Sequence, residues 1–392
     1  MRFKIRINKI YFILCFSLWL CGSVAYAFAE GVAMDTVRVL ILDRVQNLEL
    51  RPLIDLVIFD SENKLVNIEP SEPIIVRAAG SGFSINNKKV NTSRLKISSA
   101  TLSGDSNVPL IRIGTKKYRG ELDLVRQGND IAVINILNIE EYLCGVVPRE
   151  MPYEWHREAL KAQAVAARTY TYNKLATINR SARLYDLKAT IADQVYGGFN
   201  DERSSCDSAI YATAGEILVY DDKPILACYH GNSGGALEND TDVFRTKMPY
   251  LKGKSDEFSP TGGRYDWSQS VTAAEIRTRL VSAGLNIGQI RDITLSEVAD
   301  SGRVRYITII HSNGTTRLTG VAFRDKMGTT FIRSTLFTLD KQENRYIFRG
   351  KGNGHGVGMS QWSAYRMAQQ GMNYQEILDY FYPGTNLVKK NQ

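Results

Sequence analysis

Between residues 36 and 137 the apolar positions come in short alternating or β-branched runs. Val37–Leu42, Leu56–Phe59, Ile74–Ala78, Leu95–Ala100 and Leu110–Gly114 each predict a strand. Tyr118–Arg126 and Ile131–Leu137 flank Gln127-Gly128-Asn129-Asp130, which predicts a tight hairpin. No helical period competes over this stretch.

The period changes at residue 139. Ile139–Val146 predicts a short helix, and Pro148 and Pro152 bracket a tight segment after it. Glu154–Ile178 then predicts a long one: Glu158–Ala167 holds five alanines among strong helix formers, with Leu160, Ala164 and Ala167 at helical spacing. So many small residues let other backbone come close, so this helix is expected to be central and buried. Beyond residue 190 strands and loops alternate. Glu216–Tyr220 and Ile225–Tyr229 predict a hairpin around Asp221-Asp222, and Val304–His311 with Thr315–Leu318 another across Asn313-Gly314. Thr272–Ala283 carries a Thr272/Glu275 capping box and Gly284 as its stop. Met359–Gln370 and Tyr374–Tyr382 predict the last helices, the second with Asn373 as N-cap and Pro383-Gly384 closing it. The expected fold is α+β. A β-rich N-terminal portion is followed by a mixed domain with a central alanine-rich helix and C-terminal helices around a substrate cleft.

Composition narrows the class. The 392 residues are 44% hydrophobic and 23% charged, a globular balance that excludes wholesale disorder, and Gly 31 with Pro 10 excludes a collagen-like chain. A net charge of +8 raises the question of a polyanionic partner. Much of that charge sits at the start. Arg2, Lys4, Arg6 and Lys9 precede an apolar stretch from Ile10 to Leu20, and Ala25-Tyr26-Ala27-Phe28-Ala29 offers overlapping A-x-A sites. This is the build of a secretory signal peptide over residues 1–29. The other reading is a retained anchor, but the apolar core is shorter than the roughly 20 residues that a span needs. Cleavage leaves 45 basic against 41 acidic residues, which no longer argues for nucleic acid. An exported protein on the periplasmic or cell-wall side is expected. Cys144, Cys206 and Cys228 remain, with no C-x-x-C pair; a Cys206–Cys228 disulfide and three buried thiols are both open readings.

Several chemistries lack their motifs. The histidines His156, His230, His311 and His355 form no H-E-x-x-H and no metal-ligand spacing, so no metal and no cofactor is expected. Gly350–Gly358 (GKGNGHGVG) contains G-x-G, but no Lys-Ser/Thr follows, so it does not read as a phosphate loop. Its glycines instead let backbone approach a polymer or an active site, which makes His355 exposed or cleft-facing. Gly231–Gly235 (GNSGG) misses the serine-hydrolase spacing. Glu150 remains. At the entrance to the alanine-rich helix it reads either as a carboxylate favoured by a helix N-terminus or as a general acid. Val146, Val147, Met151 and Trp155 would desolvate that acid and raise its pKa. Arg168, further down the helix, is a candidate for a substrate contact or for orienting a polar group.

Val146–Tyr170 (VVPREMPYEWHREALKAQAVAARTY) resembles the signature of the SpoIID/LytB domain family, the stage II sporulation protein D type of lytic transglycosylase. Asp193–Tyr196 (DQVY), Tyr229–Gly235 (YHGNSGG), Gly354–Trp362 (GHGVGMSQW) and the ending QGMNYQEILDYFYPGT resemble its later blocks. The resemblance covers residues 118–388 and, loosely, 36–117, and so divides the chain into a signal peptide of 1–29, a β-rich region of 30–117 and a catalytic domain of 118–388. It implies cleavage of peptidoglycan glycan strands, peptide-stripped strands being one open form of the substrate, with Glu150 as the catalytic acid and Arg168 in the cleft. Gln194, His230, Ser233, His355, Ser360 and Gln361 would hold sugar hydroxyls and acetamides. Some relatives carry a His/Cys zinc cluster between the central helix and DQVY; residues 173–192 contain no His and no Cys, so that site is not expected here. The alternatives are a glycan-binding modifier of a separate amidase, and a hydrolase using a second carboxylate among Glu140, Glu141, Glu154 and Glu158.

Overall fold

The alternating runs form strands, and their register explains the pattern. The computed structural model describes residues 36–60, 63–70, 73–100, 111–245 and 247–390; the expected signal peptide lies outside them. A seven-stranded sheet runs in the order Leu187–Lys188, Thr36–Val45, Asp130–Asn138, Glu121–Gln127, Arg94–Ser99, Leu56–Asp60, Asn63–Ile68. A six-stranded sheet runs Lys116–Tyr118, Ile111–Ile113, Asn47–Pro52, Ile74–Ala79, Gly82–Ile85, Lys88–Val90. Leu48, Leu50, Val76 and Phe83 of the second sheet share one core with Ile58, Leu95, Ile97 and Leu124 of the first. This is a sandwich whose inward positions alternate with solvated ones. The hairpin closes by pairing Gln127 with Asp130 around Gly128-Asn129, where Gly128 takes φ +66°.

The strands cross the expected boundary at residue 117. Thr36–Val45 lies between Asp130–Asn138 and Leu187–Lys188, and Arg94–Ser99 pairs with Glu121–Gln127. The first strand is therefore built into the sheet that delivers the chain to the central helices.

The helices are α1 (Ile139–Glu150), α2 (Arg157–Thr177), α3 (Ser204–Ala212), α4 (Asp240–Val243), α5 (Ala273–Ser282), α6 (Gly320–Met327), α7 (Gln361–Gln369) and α8 (Tyr374–Phe381). Asn138 caps α1 by accepting from the Glu140 N–H. Met151, before Pro152, is extended and α1 ends there, whereas Val147 before Pro148 stays helical, so α1 runs past the expected end at Val146. His156 caps α2, which starts three residues later than the expected Glu154, and burial on almost every side from Ala159 to Thr169 confirms the expected central helix. The capping boxes at Thr272/Glu275 and Asn373/Glu376 both form. α1, α2, α3, α7 and α8 contribute to one large core that also includes Val37, Val39 and Tyr118.

A third core was not legible in the sequence. Asp266–Thr272, Arg345–Lys351 and Phe337–Gln342 form one sheet; Ile290–Val298, Val304–His311 and Gly314–Thr319 form another. With α5 and α6 they enclose Trp267, Ile276, Leu280, Ile307, Ile309, Phe323 and Phe348. The second hairpin there pairs His311 with Gly314, so the turn is Ser312-Asn313 rather than Asn313-Gly314. The Asp221-Asp222 turn forms as expected, both residues at positive φ, but its returning strand is only Lys223–Pro224.

Cys144, Cys206 and Cys228 are free and buried, so the Cys206–Cys228 bridge does not form. Burial pushes the Cys206 and Cys228 thiols up to about 12, which keeps them protonated and unreactive. Protein lacking residues 1–29 should therefore melt at the same temperature, within about 1 °C, with or without reductant. Native protein should also resist thiol reagents until it unfolds. A fall of roughly 5 °C or more on reduction, in the range of a lost disulfide, would contradict this.

Candidate functional site

Glu150 is the last residue of α1, not the first of the alanine-rich helix. The expected dipole effect is therefore reversed: the C-terminal end of a helix is its negative end and opposes a carboxylate. Burial raises the pKa of the Glu150 carboxyl, against the opposing pull of the Val195 N–H and of Arg149. Val195 N–H donates to Glu150 Oε1 at 3.0 Å, and the residue as a whole is half-buried.

Behind Glu150 lies a buried polar network. Tyr142 and Val146 precede it at helical spacing on the same face of α1, both wholly buried. Gln194 Oε1 accepts from Tyr142 Oη (3.3 Å) and Thr171 Oγ1 (3.0 Å), and Gln194 Nε2 donates to the Ala167 carbonyl (3.3 Å) and Tyr229 Oη (3.1 Å). Tyr170 Oη donates to Asp193 Oδ1 at 3.3 Å; Asp193 also pairs with Lys174 at 3.0 Å and accepts from the Lys188 N–H. Residues 193–194 are thus fixed from three sides, and that is what aims Val195 N–H at the acid. Burial holds Tyr142, Tyr170 and Tyr229 protonated, reinforced at Tyr142 and Tyr170 by the charge of Asp193. The phenols of this layer went unrecognised in the sequence, although the four-residue steps from Tyr142 to Val146 to Glu150 were there to be read.

Arg168 does not face a cleft. It is 0% exposed and grips Glu140 in a two-point pair, Nε–Oε1 at 2.8 Å and Nη2–Oε2 at 2.6 Å. Its other N–H groups reach the carbonyls of Ile210 (3.1 Å) and Glu216 (3.2 Å), and Gly215 N–H completes Glu140. The pair locks the first turn of α1 to α2, the end of α3 and Glu216–Tyr220. Of the two expected roles, substrate contact gives way to orientation of a polar group, because every donor is spent inside the protein.

The other candidates also turn inward. Gln194 is held as described. Gln361 is buried and donates to Gln163 of α2 at 3.3 Å. Ser233 Oγ (2.6 Å) and Ser363 Oγ (2.7 Å) both donate to Asp256 Oδ2, and Ser360 Oγ lies 2.8 Å from Ser363 Oγ and accepts from Ser233 N–H (3.3 Å). Burial raises the pKa of Asp256. His355, expected to be exposed or cleft-facing, is held at both ring nitrogens. Nδ1 accepts from Val357 N–H at 3.1 Å, so Nε2 carries the proton donated to the Tyr229 carbonyl at 3.0 Å. His230 bonds the Val357 carbonyl through Nδ1 at 3.2 Å, and its ring centre lies 5.3 Å from that of His355. Burial pushes His355 down to about 4 and His230 well below its usual value, so both are neutral at physiological pH. Ser233, Ser360, His230 and His355 thus hold the loops together.

Arg303 joins this region from the third core. It is buried, and its Nη2 donates to the carbonyls of Ser233 (2.6 Å) and Ala236 (3.3 Å). Gly356, at φ +86°, packs over its guanidinium, where a Cβ would come within 2.5 Å of Cζ. Gly356 therefore serves loop packing rather than substrate approach. Among the described residues no cluster of metal-ligating side chains occurs. The site is a desolvated carboxyl at a helix end, backed by protonated phenols and a fixed amide.

Comparison with known proteins agrees with the sequence blocks. The Stage II sporulation protein family profile matches residues 127–220, and a domain of unknown function matches 239–358, which contains most of the third core. An uncharacterized protein of Brachyspira hyodysenteriae is 35% identical over 277 residues, covering 70% of this chain and 73% of that protein. Stage II sporulation protein D of Bacillus subtilis is 30% identical over 265 residues, covering 64% of this chain and 74% of its own length. The amidase enhancer of Bacillus subtilis is 32% identical over 292 residues, covering 63% of this chain but 40% of that protein. The chain belongs to the stage II sporulation protein D family.

Proposed function

We propose that the protein is exported and acts on the cell wall as a lytic transglycosylase with Glu150 as its single catalytic carboxyl. The observation that carries this reading is the environment of that carboxyl. Burial raises its pKa, the residue is only half-buried, and the positive charge of Arg149 opposes the rise without reversing it. Protonated Glu150 donates to the glycosidic oxygen between N-acetylmuramic acid and N-acetylglucosamine as the bond to C1 breaks. The muramyl 6-hydroxyl then bonds to C1, and its proton returns to Glu150. One 1,6-anhydro end forms and the acid is regenerated, with no water consumed.

A two-carboxylate hydrolase is less well supported. Of its four candidate second carboxylates, Glu140 is spent on Arg168, and Glu158 on Lys161 and Tyr374 N–H, which leaves Glu141 and Glu154. Asp193, which shares Tyr142 and Tyr170 with Glu150, is tied to Lys174 and Lys188 N–H. The competing reading, a non-catalytic modifier of an amidase, draws on the relative named amidase enhancer.

Mass spectrometry of purified glycan strands after digestion separates the readings. Anhydro ends are expected. Reducing ends would establish the hydrolase, and no product without an added amidase would favour the modifier. Because burial raises the Glu150 pKa, the proton-donating form persists to higher pH than for a solvated carboxyl, and is lost as pH rises through the raised value. Activity should fall on the alkaline side; a rate unchanged up to about pH 9 would contradict an acid role.

A further inference from the structure

A second site with recognisable chemistry lies on α7. An open depression of about 450 Å³ is lined by Tyr265, Trp362, Tyr365, Arg366 and Gln369 among others. That volume falls in the roughly 300–1,000 Å³ range of small-ligand sites. Its wall is a cluster of rings. Trp362 meets Tyr265 edge-on at 5.2 Å and Tyr365 at 5.9 Å. Trp155 lies 4.6 Å from both Tyr365, on which it stacks at 23°, and Trp362. Tyr265, Trp362 and Tyr365 are partly exposed rather than sealed into a core.

Polar groups stand at the rim. Arg366 is exposed, and among the described residues no carboxylate lies within ion-pair distance of it. Gln369 donates one amide hydrogen to Tyr365 Oη at 3.0 Å, which leaves its carbonyl oxygen and second hydrogen for a ligand. A ring wall with one amide and one unpaired guanidinium suits a flat-faced, hydroxyl-rich ring that bears a carboxylate. The rings cover its C–H face, the amide meets an acetamide or hydroxyl, and the guanidinium takes the acid in two-point fashion.

Two links tie residues of the depression to residues around Glu150. Trp155 stands five residues after Glu150 in the turn between α1 and α2. Trp362 N–H donates to the Gly231 carbonyl at 3.0 Å, immediately after Tyr229–His230, and Tyr229 feels the charge of Glu150.

We propose that this depression is a glycan subsite remote from the cleaved bond, which binds an acidic amino-sugar unit with its ring against Tyr365 and Trp362 and its carboxylate on Arg366. This rests on the reading of a glycan-strand substrate. It adds that a strand is gripped at a second place, so recognition requires length and an acid group. The carboxylate is either the sugar's own lactyl acid or that of an attached peptide.

Binding is measured by tryptophan fluorescence and calorimetry in the Glu150→Gln background, so that strands are not consumed. The probes are muramic-acid-containing octasaccharides with and without stem peptides, a tetrasaccharide, and neutral chitooctaose. Arg366→Gln should weaken the acidic octasaccharide about tenfold, the loss of one exposed charge-assisted contact, and chitooctaose less than twofold. Tyr365→Ala should weaken both octasaccharides by a similar factor. Should that variant misfold by circular dichroism, the surface change at Arg366 still decides. A loss confined to peptide-free strands assigns the lactyl acid, and one confined to peptide-bearing strands assigns the peptide. Equal affinities of parent and Arg366→Gln for the acidic octasaccharide, or equal affinities of the tetrasaccharide and octasaccharide, would overturn the subsite. Wild-type cleavage with unchanged variant affinities sinks the subsite alone. Tight, Arg366-dependent binding without cleavage sinks the catalytic reading alone.

Discussion

Replacing Glu150 by Gln should lower the rate of glycan-strand cleavage by about 10²–10⁴-fold, the usual contribution of a positioned general acid. The amide has almost the same shape and can still accept the Val195 N–H, so the fold has no reason to change. The direction of the pKa shift adds a second readout. A carboxyl whose pKa is raised on folding binds its proton more tightly in the folded state, so its stabilising contribution is complete at low pH and is lost as pH rises through the raised value. Glutamine never ionises. The variant should therefore be at least as stable as the parent at neutral pH, and its stability should depend less on pH above the usual carboxylate value of about 4. Loss of activity with an unchanged or higher melting temperature identifies chemistry rather than misfolding. Anhydro products formed at the parent rate by the Gln variant would remove Glu150 from the mechanism.

Replacing Arg168 by Met should destabilise the protein by about 3–5 kcal/mol, because Glu140 would be left charged and unpaired in the interior. At about 2–4 °C per kcal/mol for a domain of 150–250 residues, that is a fall of roughly 10 °C in melting temperature. Lysine should not rescue it, since one ammonium cannot reach Glu140 and the carbonyls of Ile210 and Glu216 in the fork geometry of a guanidinium. The double variant Glu140→Gln/Arg168→Met should recover part of the loss, because it removes the stranded charge as well. Activity per folded molecule should track the position of α1, so it should fall with the fold and not before it. A hundredfold loss of activity at unchanged melting temperature would instead return Arg168 to the substrate. The same pair explains why an arginine so far along α2 matters to Glu150: it fixes the start of the helix whose end carries the acid.

Local chemistry was legible wherever a residue acts on its own backbone. Asn373 and Thr272 were readable as caps because their side chains satisfy N–H groups within three residues. Gly128-Asn129 and Asp221-Asp222 were readable as turns because few residues tolerate positive φ. The alanine-rich helix declared its burial through its small side chains. The expected division at residue 117 did not follow the sheets, because strand order is set by partners distant in sequence, such as Thr36–Val45 with Asp130–Asn138. The core between residues 267 and 348 was hidden for the same reason: its hairpin after Val304 and its capped helix were legible one by one, but only the pairing with Ile290–Val298 and the packing of the second sheet make an interior.

The site divided along the same line. The sequence by itself determined which residues have the chemistry: a glutamate among apolar neighbours, an arginine down the next helix, and serines, histidines and glutamines in glycine-rich blocks. It could not determine which way they face, since a polar side chain that binds a sugar and one that binds a backbone carbonyl have the same letters. Tertiary structure decided that Glu150 ends α1 rather than beginning α2, which reverses the dipole it feels. It also turned Arg168, Gln194, Ser233, His230 and His355 inward, because a buried polar group must spend its hydrogen bonds somewhere, and here the partners are the neighbouring loops and helices.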